Sequence, residues 1–282
     1  MSNDRTLTLG HSPDSDDAFM FYGLASGKVS NRGWRFKHVI KDIQSLNELA
    51  LAGTLDITAI SVHAYALVAD SYSIMTMGAS MGDGYGPIII ARSPLTRERL
   101  MDSRIAIPGL LTSACLAMQL WLDKPARDID MLVVPFDKVF QVVSDGEADA
   151  GLIIHEGQIT YNEHGFHLCI DLGKWWKDLT GLPLPLGINV IKNLFNHTEQ
   201  SEITEILRDS VIYGLNHLPE AIEYAKQYSR GLNTNKVEQF VSMYVNKWTV
   251  DLGEEGKRAI ELFLNRAQEK GFIQMSGPIK FV

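Results

Sequence analysis

Only two of the 282 residues are cysteine, Cys115 and Cys169. A single pair cannot build a disulfide framework, and there is no Cys-x-x-Cys, so a disulfide-stapled scaffold and a thiolate metal site are both excluded. Basic residues are scarce as well. The 26 Lys and Arg stand against 34 Asp and Glu, a net charge of −8. Gripping DNA or RNA phosphates calls for a basic face, so no nucleic acid is expected as a partner. That balance does not forbid a small anion held locally by backbone N–H groups. No apolar run approaches 18 residues, so no membrane span is expected. The opening residues Met1–Thr6 carry neither a basic stretch nor an apolar one after it, and a cytoplasmic location is the simplest expectation.

What is present is globular: 45% apolar and 21% charged residues. At about 150 residues per domain the length suggests two domains. Up to about residue 191 short apolar runs alternate with helical patterns, among them the strand candidates 57–60, 105–107 and 150–154 and the helix candidates 46–51 and 113–122. This alternation predicts an α/β class with largely parallel sheets. Beyond Glu199 the pattern is helical.

One internal repeat organises the chain. Ser45–Leu51 leads through Gly53 and Asp56 into the run Ile57–Ser61, and Val139–Ser144 leads through Gly146 and Asp149 into Ala150–Ile154. Both read as helix, glycine, two residues, aspartate, buried strand. A glycine there suits the left-handed position that ends a helix. Two copies 93 residues apart suggest two similar lobes with a ligand cleft between them, at the carboxyl ends of the strands. The expected division is 1–93 plus 187–282 for the first lobe, with the C-terminal helices, and 94–186 for the second. Crossings are expected near Arg92–Leu95 and at the bend of Pro183, Pro185 and Gly187.

Several segments could carry chemistry. Ser12-Pro13-Asp14-Ser15-Asp16-Asp17 precedes a helix; its carboxylates suit a helix start, and the loop also lies at the carboxyl end of a strand. Gly78-Ala79-Ser80-Met81-Gly82 matches the nucleophile elbow, but Asp83-Gly84-Tyr85-Gly86-Pro87 cannot start the helix that motif needs, so a flexible loop is expected. The same glycines fit no nucleotide-binding pattern. Thr112 or Ser113 is a natural N-cap, and the helix start around Thr112, Ser113 and Ala114 is a candidate anion site. None of the eight histidines has a partner at metal-ligand spacing, so no metal or cofactor is called for. His155 stands apart: it follows a buried strand at its cleft end, where an imidazole with an ordinary pKa of about 6.5 can act as a general base. His63 is the weaker counterpart in the first lobe. Trp175 and Trp176 fit an aromatic pocket or the core equally well.

Ser12–Tyr22, Gly151-Leu152-Ile153-Ile154-His155-Glu156 with Thr160-Tyr161, and Thr180–Gly187 together resemble the 1,4-dihydroxy-6-naphthoate synthase family; Tyr244–Asn246 and Gly253–Gly256 fit too. The resemblance runs over nearly the whole chain. It implies a bilobed type II periplasmic-binding-protein-like fold and a cytoplasmic lyase of the futalosine route to menaquinone. The implied substrate is cyclic dehypoxanthine futalosine, a carboxylated small molecule. The family's catalytic base falls on His155. Its substrate segments fall on Ala59, Ile60 and Ser61 and on Ser113 and Ala114. Some members carry a lysine at Ala59, so a different anchor for the substrate carboxylate is implied here. Two alternatives share the fold: a solute-binding protein, and the chorismate dehydratase of the same route.

Overall fold

The computed structural model describes residues 6–229 and 232–282. By its internal contacts the chain forms two compact units. The first comprises the chain up to Ser80 with Gly187–Lys257 and Met275–Val282; the second comprises Met81–Leu186 and Arg258–Gln274.

The first unit is built on a mixed sheet. Its strands are β1 (Thr6–His11), β2 (Arg35–Ile40), β3 (Ile57–Ser61), β4 (Tyr72–Ile74) and two that the unit boundaries cut, β5 (Ser80–Gly82) and, after five further strands, β11 (Leu184–Lys192). The order is β2-β1-β3-β11-β4, with β5 added alongside β11. β1 runs parallel to both β2 and β3, while β11 is antiparallel to β3. The second unit holds β6 (Ile88–Ala91), β7 (Ile105–Ile107), β8 (Met131–Val133), β9 (Ala150–Ile153) and β10 (His167–Asp171), in the order β10-β6-β9-β7-β8. There β7 is parallel to β8 and β9, and the other two pairings are antiparallel.

Thirteen helices accompany the strands among the described residues. They are α1 (Ser15–Ala25), α2 (Ile43–Leu51), α3 (Val62–Tyr65), α4 (Arg97–Leu100), α5 (Ser113–Leu122), α6 (Val139–Ser144) and α7 (Gly157–Thr160). Then come α8 (Leu172–Thr180), α9 (His197–Asn216), α10 (Leu218–Lys226), α11 (Thr234–Tyr244), α12 (Lys247–Val250) and α13 (Gly253–Glu269). The core of the first unit joins Leu7 and Leu9 of β1 to Phe19 of α1, Ile206 and Val211 of α9, and Ala221 of α10. Asn196 and Glu199 form a capping box that starts the long helix α9. In the second unit Ile88, Ile90, Ala106, Val139 and Ile153 form a buried cluster.

The repeated helix–glycine–strand unit has the geometry its sequence calls for. Gly53 and Gly146 close α2 and α6 at φ +63° and +80°, a region that costs a residue with a Cβ about 1–2 kcal/mol. The aspartate three residues on has the same task in both copies. Asp56 Oδ2 accepts the Thr8 amide at 3.0 Å, and Asp149 Oδ2 accepts the Arg104 amide at 2.9 Å. Each carboxylate thereby ties the start of one strand to the parallel neighbour ahead of it, β3 to β1 and β9 to β7.

Three expectations need correction. β6 lies in the second unit's sheet, so the first passage falls between Ser80 and Met81 rather than near Arg92–Leu95. Most of α13 belongs to the second unit and does not return to the first. The second passage does fall at the expected place, between Leu186 and Gly187, but within a strand rather than a turn, since β11 extends from Leu184 to Lys192.

Candidate active-site segments

In the first unit the adjacent parallel strands β1 and β3 deliver two segments to their carboxyl ends. Beyond β1, Asp14 holds the N-cap position of α1 but makes no side-chain cap bond there. Instead Ser12 Oγ donates to Asp14 Oδ2 at 2.8 Å, and the Ser12 amide donates to Asp17 Oδ2 at 2.6 Å. The buried carboxylates fold the loop onto Ser12, and Asp16 and Asp17 complement the positive end of the helix dipole. Ala59, Ile60 and Ser61 close β3, all three buried. The Ser61 amide donates to Asn47 Oδ1 at 2.8 Å, and Asn47 Nδ2 donates to Ser61 Oγ at 3.1 Å. Asn47 is wholly buried in α2, and sequence reasoning passed over it. The signal was available: asparagine is a poor choice for a helix interior unless its amide has a partner elsewhere.

Across β11, Asn189 lies opposite Ala59. Its Nδ2 donates weakly to the Gly78 carbonyl at 3.4 Å, and its buried Oδ1 has no hydrogen-bond partner among the described residues. Gly78 stands at φ +74°, with Asn189 filling the space a Cβ would need. Ser80 lies on β5 with no helix after it, so the nucleophile-elbow geometry is absent; of the expected loop, Ser80–Gly82 is a short strand, while 83–87 has no regular structure. His63 is buried in α3.

In the second unit β8, β7 and β9 are parallel neighbours, so the segments that follow them emerge on one sheet edge. After β7 comes α5. Thr112 caps it, its Oγ1 accepting the Cys115 amide at 3.1 Å and donating to the Gly109 carbonyl at 2.9 Å. Ser113 Oγ donates to the Leu186 carbonyl at 2.5 Å. The Ser113 hydroxyl proton is therefore committed, and an anion at this helix start depends on backbone N–H groups. No acidic residue occupies the first turn of α5, which leaves the dipole uncompensated there. Thr112, Ser113 and Ala114 are all buried.

After β9, Ile154 is followed by His155 at φ +60°. A non-glycine residue in this region costs about 1–2 kcal/mol of backbone strain. The Phe136 ring, from the segment after β8, meets the imidazole edge-on at 4.4 Å between centroids and an angle of 63°. The turn continues tightly, with the Gln158 amide donating to the His155 carbonyl at 3.1 Å. A Cβ on Gly157 would lie 2.7 Å from the Ile153 side chain, so any larger residue there must displace it. Glu156 is buried beside them. The second unit's edge thus carries both sharp candidates from the sequence, His155 and the α5 start. Trp176, by contrast, is core. Its Nε1 donates to the Pro183 carbonyl at 3.2 Å and its ring meets Phe263 edge-on. Among the described residues no cluster of three His, Cys, Asp or Glu could hold a metal ion, and no helix is long and apolar enough to cross a membrane.

The architecture is that of the periplasmic-binding-protein class. An alkanesulfonate-binding protein of Xanthomonas axonopodis pv. citri superposes with a TM-score of 0.72 at 15% identity, covering 98% of each chain, a likeness of fold alone. A solved protein of Archaeoglobus fulgidus is far nearer, with a TM-score of 0.90, 42% identity, and 95% of this chain and 98% of that one covered. Residues 7–269 match the family model described as menaquinone biosynthesis. A 1,4-dihydroxy-6-naphthoate synthase of Thermus thermophilus is 37% identical over 98% of this chain and 99% of its own length. The enzyme of that name from Streptomyces coelicolor is 32% identical over 97% and 96%. The chain belongs to the menaquinone-biosynthesis family that contains these synthases.

Proposed function

We propose that the chain is a lyase converting cyclic dehypoxanthine futalosine to 1,4-dihydroxy-6-naphthoate, with His155 as its general base. The carrying observation is the shared edge of the parallel strands β7 and β9. It brings a histidine on a strained backbone and a helix start with no acidic residue in its first turn to the same side of one sheet. Kinship with two named synthases supports the choice over a dehydratase or a pure solute binder. The same kinship supports a cytoplasmic enzyme of biosynthesis.

The reaction is carbon–carbon cleavage with aromatisation, releasing a sugar-derived fragment. It requires a proton to be taken up while a carboxylated ring stays oriented. A neutral imidazole at His155 accepts that proton, held by its backbone turn and by the edge of Phe136. The Ser113 and Ala114 N–H groups, at the positive end of the α5 dipole, suit the substrate carboxylate. Ala59 offers no cation, so this reading assigns the anchor to α5. In the first unit Ser61, held by Asn47, is assigned to a substrate polar group, together with the backbone of Ala59 and Ile60.

Incubating the chain with cyclic dehypoxanthine futalosine is expected to generate a naphthoate chromophore; a folded enzyme that yields none overturns the proposal. Ser113→Leu places a branched side chain at the start of α5. It should raise KM by about ten-fold or more, the scale of a lost charge-assisted contact. An unchanged KM would remove the carboxylate from this helix.

A further inference from the structure

The first unit contains a pocket that the proposed chemistry does not use. It has a volume of about 380 Å³ and lies where the edge strand β2 and the end of β1 face α1 and α10. This falls within the usual size range of small-molecule sites, and exceeds by more than two-fold the ~150 Å³ cavity that holds benzene. Leu24, Val29 and Phe36 give it apolar walls, and its lining includes no Asp, Glu, Lys or Arg.

The polar atoms in it are fixed by a relay. His11 Nδ1 lies 3.1 Å from the Ser12 carbonyl, which can only accept, so Nδ1 carries the hydrogen. His11 Nε2 is then an acceptor, and the 2.9 Å contact with His38 Nδ1 requires that nitrogen to donate. In the neutral imidazole this leaves His38 Nε2 with a lone pair and no partner among the described residues. Burial, and secondarily the neighbouring His11, push His38 down to about 4, so the lone pair is available at neutral pH. Tyr224 and Tyr228 also line the pocket, and their hydroxyls lie 3.4 Å apart. One donates to the other, and one O–H remains to be offered. The pocket therefore presents a fixed acceptor at His38 Nε2, a phenolic O–H and the Asn31 side-chain amide between apolar walls, with no formal charge.

We infer that this pocket is a second small-molecule site, taking an uncharged hydroxyaromatic of one or two rings whose O–H donates to His38 Nε2. Its geometry lies wholly within the first unit and is independent of the catalytic assignment above. A carboxylated aromatic is disfavoured, because no cation is present to offset its desolvation.

Titration calorimetry with 2-naphthol on the full chain is expected to show one saturable site. His38→Leu should weaken it about ten-fold or more, while naphthalene, which lacks the hydroxyl, should bind wild type and variant within about three-fold of each other. His155→Asn should retain the wild-type 2-naphthol affinity. Absence of saturable binding, equal 2-naphthol affinities in wild type and His38→Leu, or loss of binding in His155→Asn each overturns the inference. If His38→Leu does not fold, the ¹⁵N resonances of the wild-type imidazoles decide. The His38 Nε2 signal should move on adding 2-naphthol, and saturable binding with that signal unmoved overturns the site.

Discussion

The carboxyl ends of β3 and β9 follow the same local plan and finish differently. Each strand is preceded by a helix, a left-handed glycine and an aspartate that clamps the parallel neighbour. β3 then ends at Ser61 with φ −67°, in ordinary extended geometry, held from the side by Asn47. β9 ends two residues before His155, whose backbone sits at φ +60°. One end is relaxed and fixed by hydrogen bonds; the other carries strain at a residue that can exchange a proton. Strain of this kind persists only where surrounding structure over-determines it, and it gathers at functional sites. The comparison teaches that one supersecondary unit can supply both a passive binding edge and a reactive one.

The largest expected effect breaks the reactive end. Asparagine tolerates left-handed backbone better than most residues, so His155→Asn should fold and keep its Tm. Its kcat should fall by about 10²–10⁴-fold, the usual contribution of a positioned general base. Measuring kcat and Tm together checks both halves. A folded variant with near-normal turnover would move suspicion to His63, the counterpart considered for the first unit.

Asn47→Ala strips Ser61 of two hydrogen bonds in a fully buried position. It should destabilise the protein by about 2–4 kcal/mol and raise KM more than it lowers kcat. Denaturant unfolding with steady-state kinetics reads both. A fall in kcat comparable to that of His155→Asn would show that the two ends do not divide binding from chemistry.

Acid should act first on the first unit. Burial pushes His11 below its ordinary value, and burial with the adjacent His11 takes His38 down to about 4. Between pH 6.5 and 4 the unfolded chain therefore binds protons that the folded chain refuses, so stability falls as pH drops through that window and levels off below it. For a half-buried ring, solvent screening reduces the loss from His38 to about 1–2 kcal/mol. Tm measured from pH 7 to 4.5 should decline in wild type and decline less in His38→Leu.

The smallest effect tests the shared part of the plan. Gly53→Ala meets no atoms at its new Cβ, so its cost is the positive φ alone, about 1 kcal/mol. Gly146→Ala adds a clash with Arg92, 2.7 Å from the new Cβ, whose flexible guanidinium can yield. It should therefore cost only slightly more. Losses at the two sites that differ by much more than about 1 kcal/mol, read from unfolding midpoints, would contradict the repeat's common geometry.

Much of this plan was legible in the sequence, because it rests on short-range signals. β7 falls at Ile105–Ile107 and α5 at Ser113–Leu122, as their apolar runs and the threonine cap indicated. Gly53 and Gly146 announced their left-handed turns. What escaped depended on partners far along the chain. Asn47 looked like an ordinary polar helix residue because Ser61 lies 14 positions away. Ser80–Gly82 looked like loose glycine-rich chain, since its strand character comes from pairing with β11, about a hundred residues later. Pro185 and Gly187 suggested a bend, but alignment along β3 keeps β11 extended. The strain at His155 was missed: histidine is enriched at positive φ but visits it too rarely to predict it there, and the glycine two residues on is the other sign of crowding. The polar relay of His11 and His38 joins adjacent strands 27 positions apart and has no sequence signature.

The two cysteines have a practical consequence. Cys115 is wholly buried, and burial pushes its thiol up to about 12; Cys169 is only partly covered. Burial raises the Cys169 thiol too, so the contrast rests on access: at a pH where thiolate forms, an alkylating reagent should mark the partly exposed Cys169 on the native chain and reach Cys115 only when α5 comes away from its packing. The amide of Cys115 is the one Thr112 caps. The rate at which the second label appears is therefore a clock for the opening of the very helix start to which the substrate carboxylate is assigned, readable by mass spectrometry without any substitution in the chain.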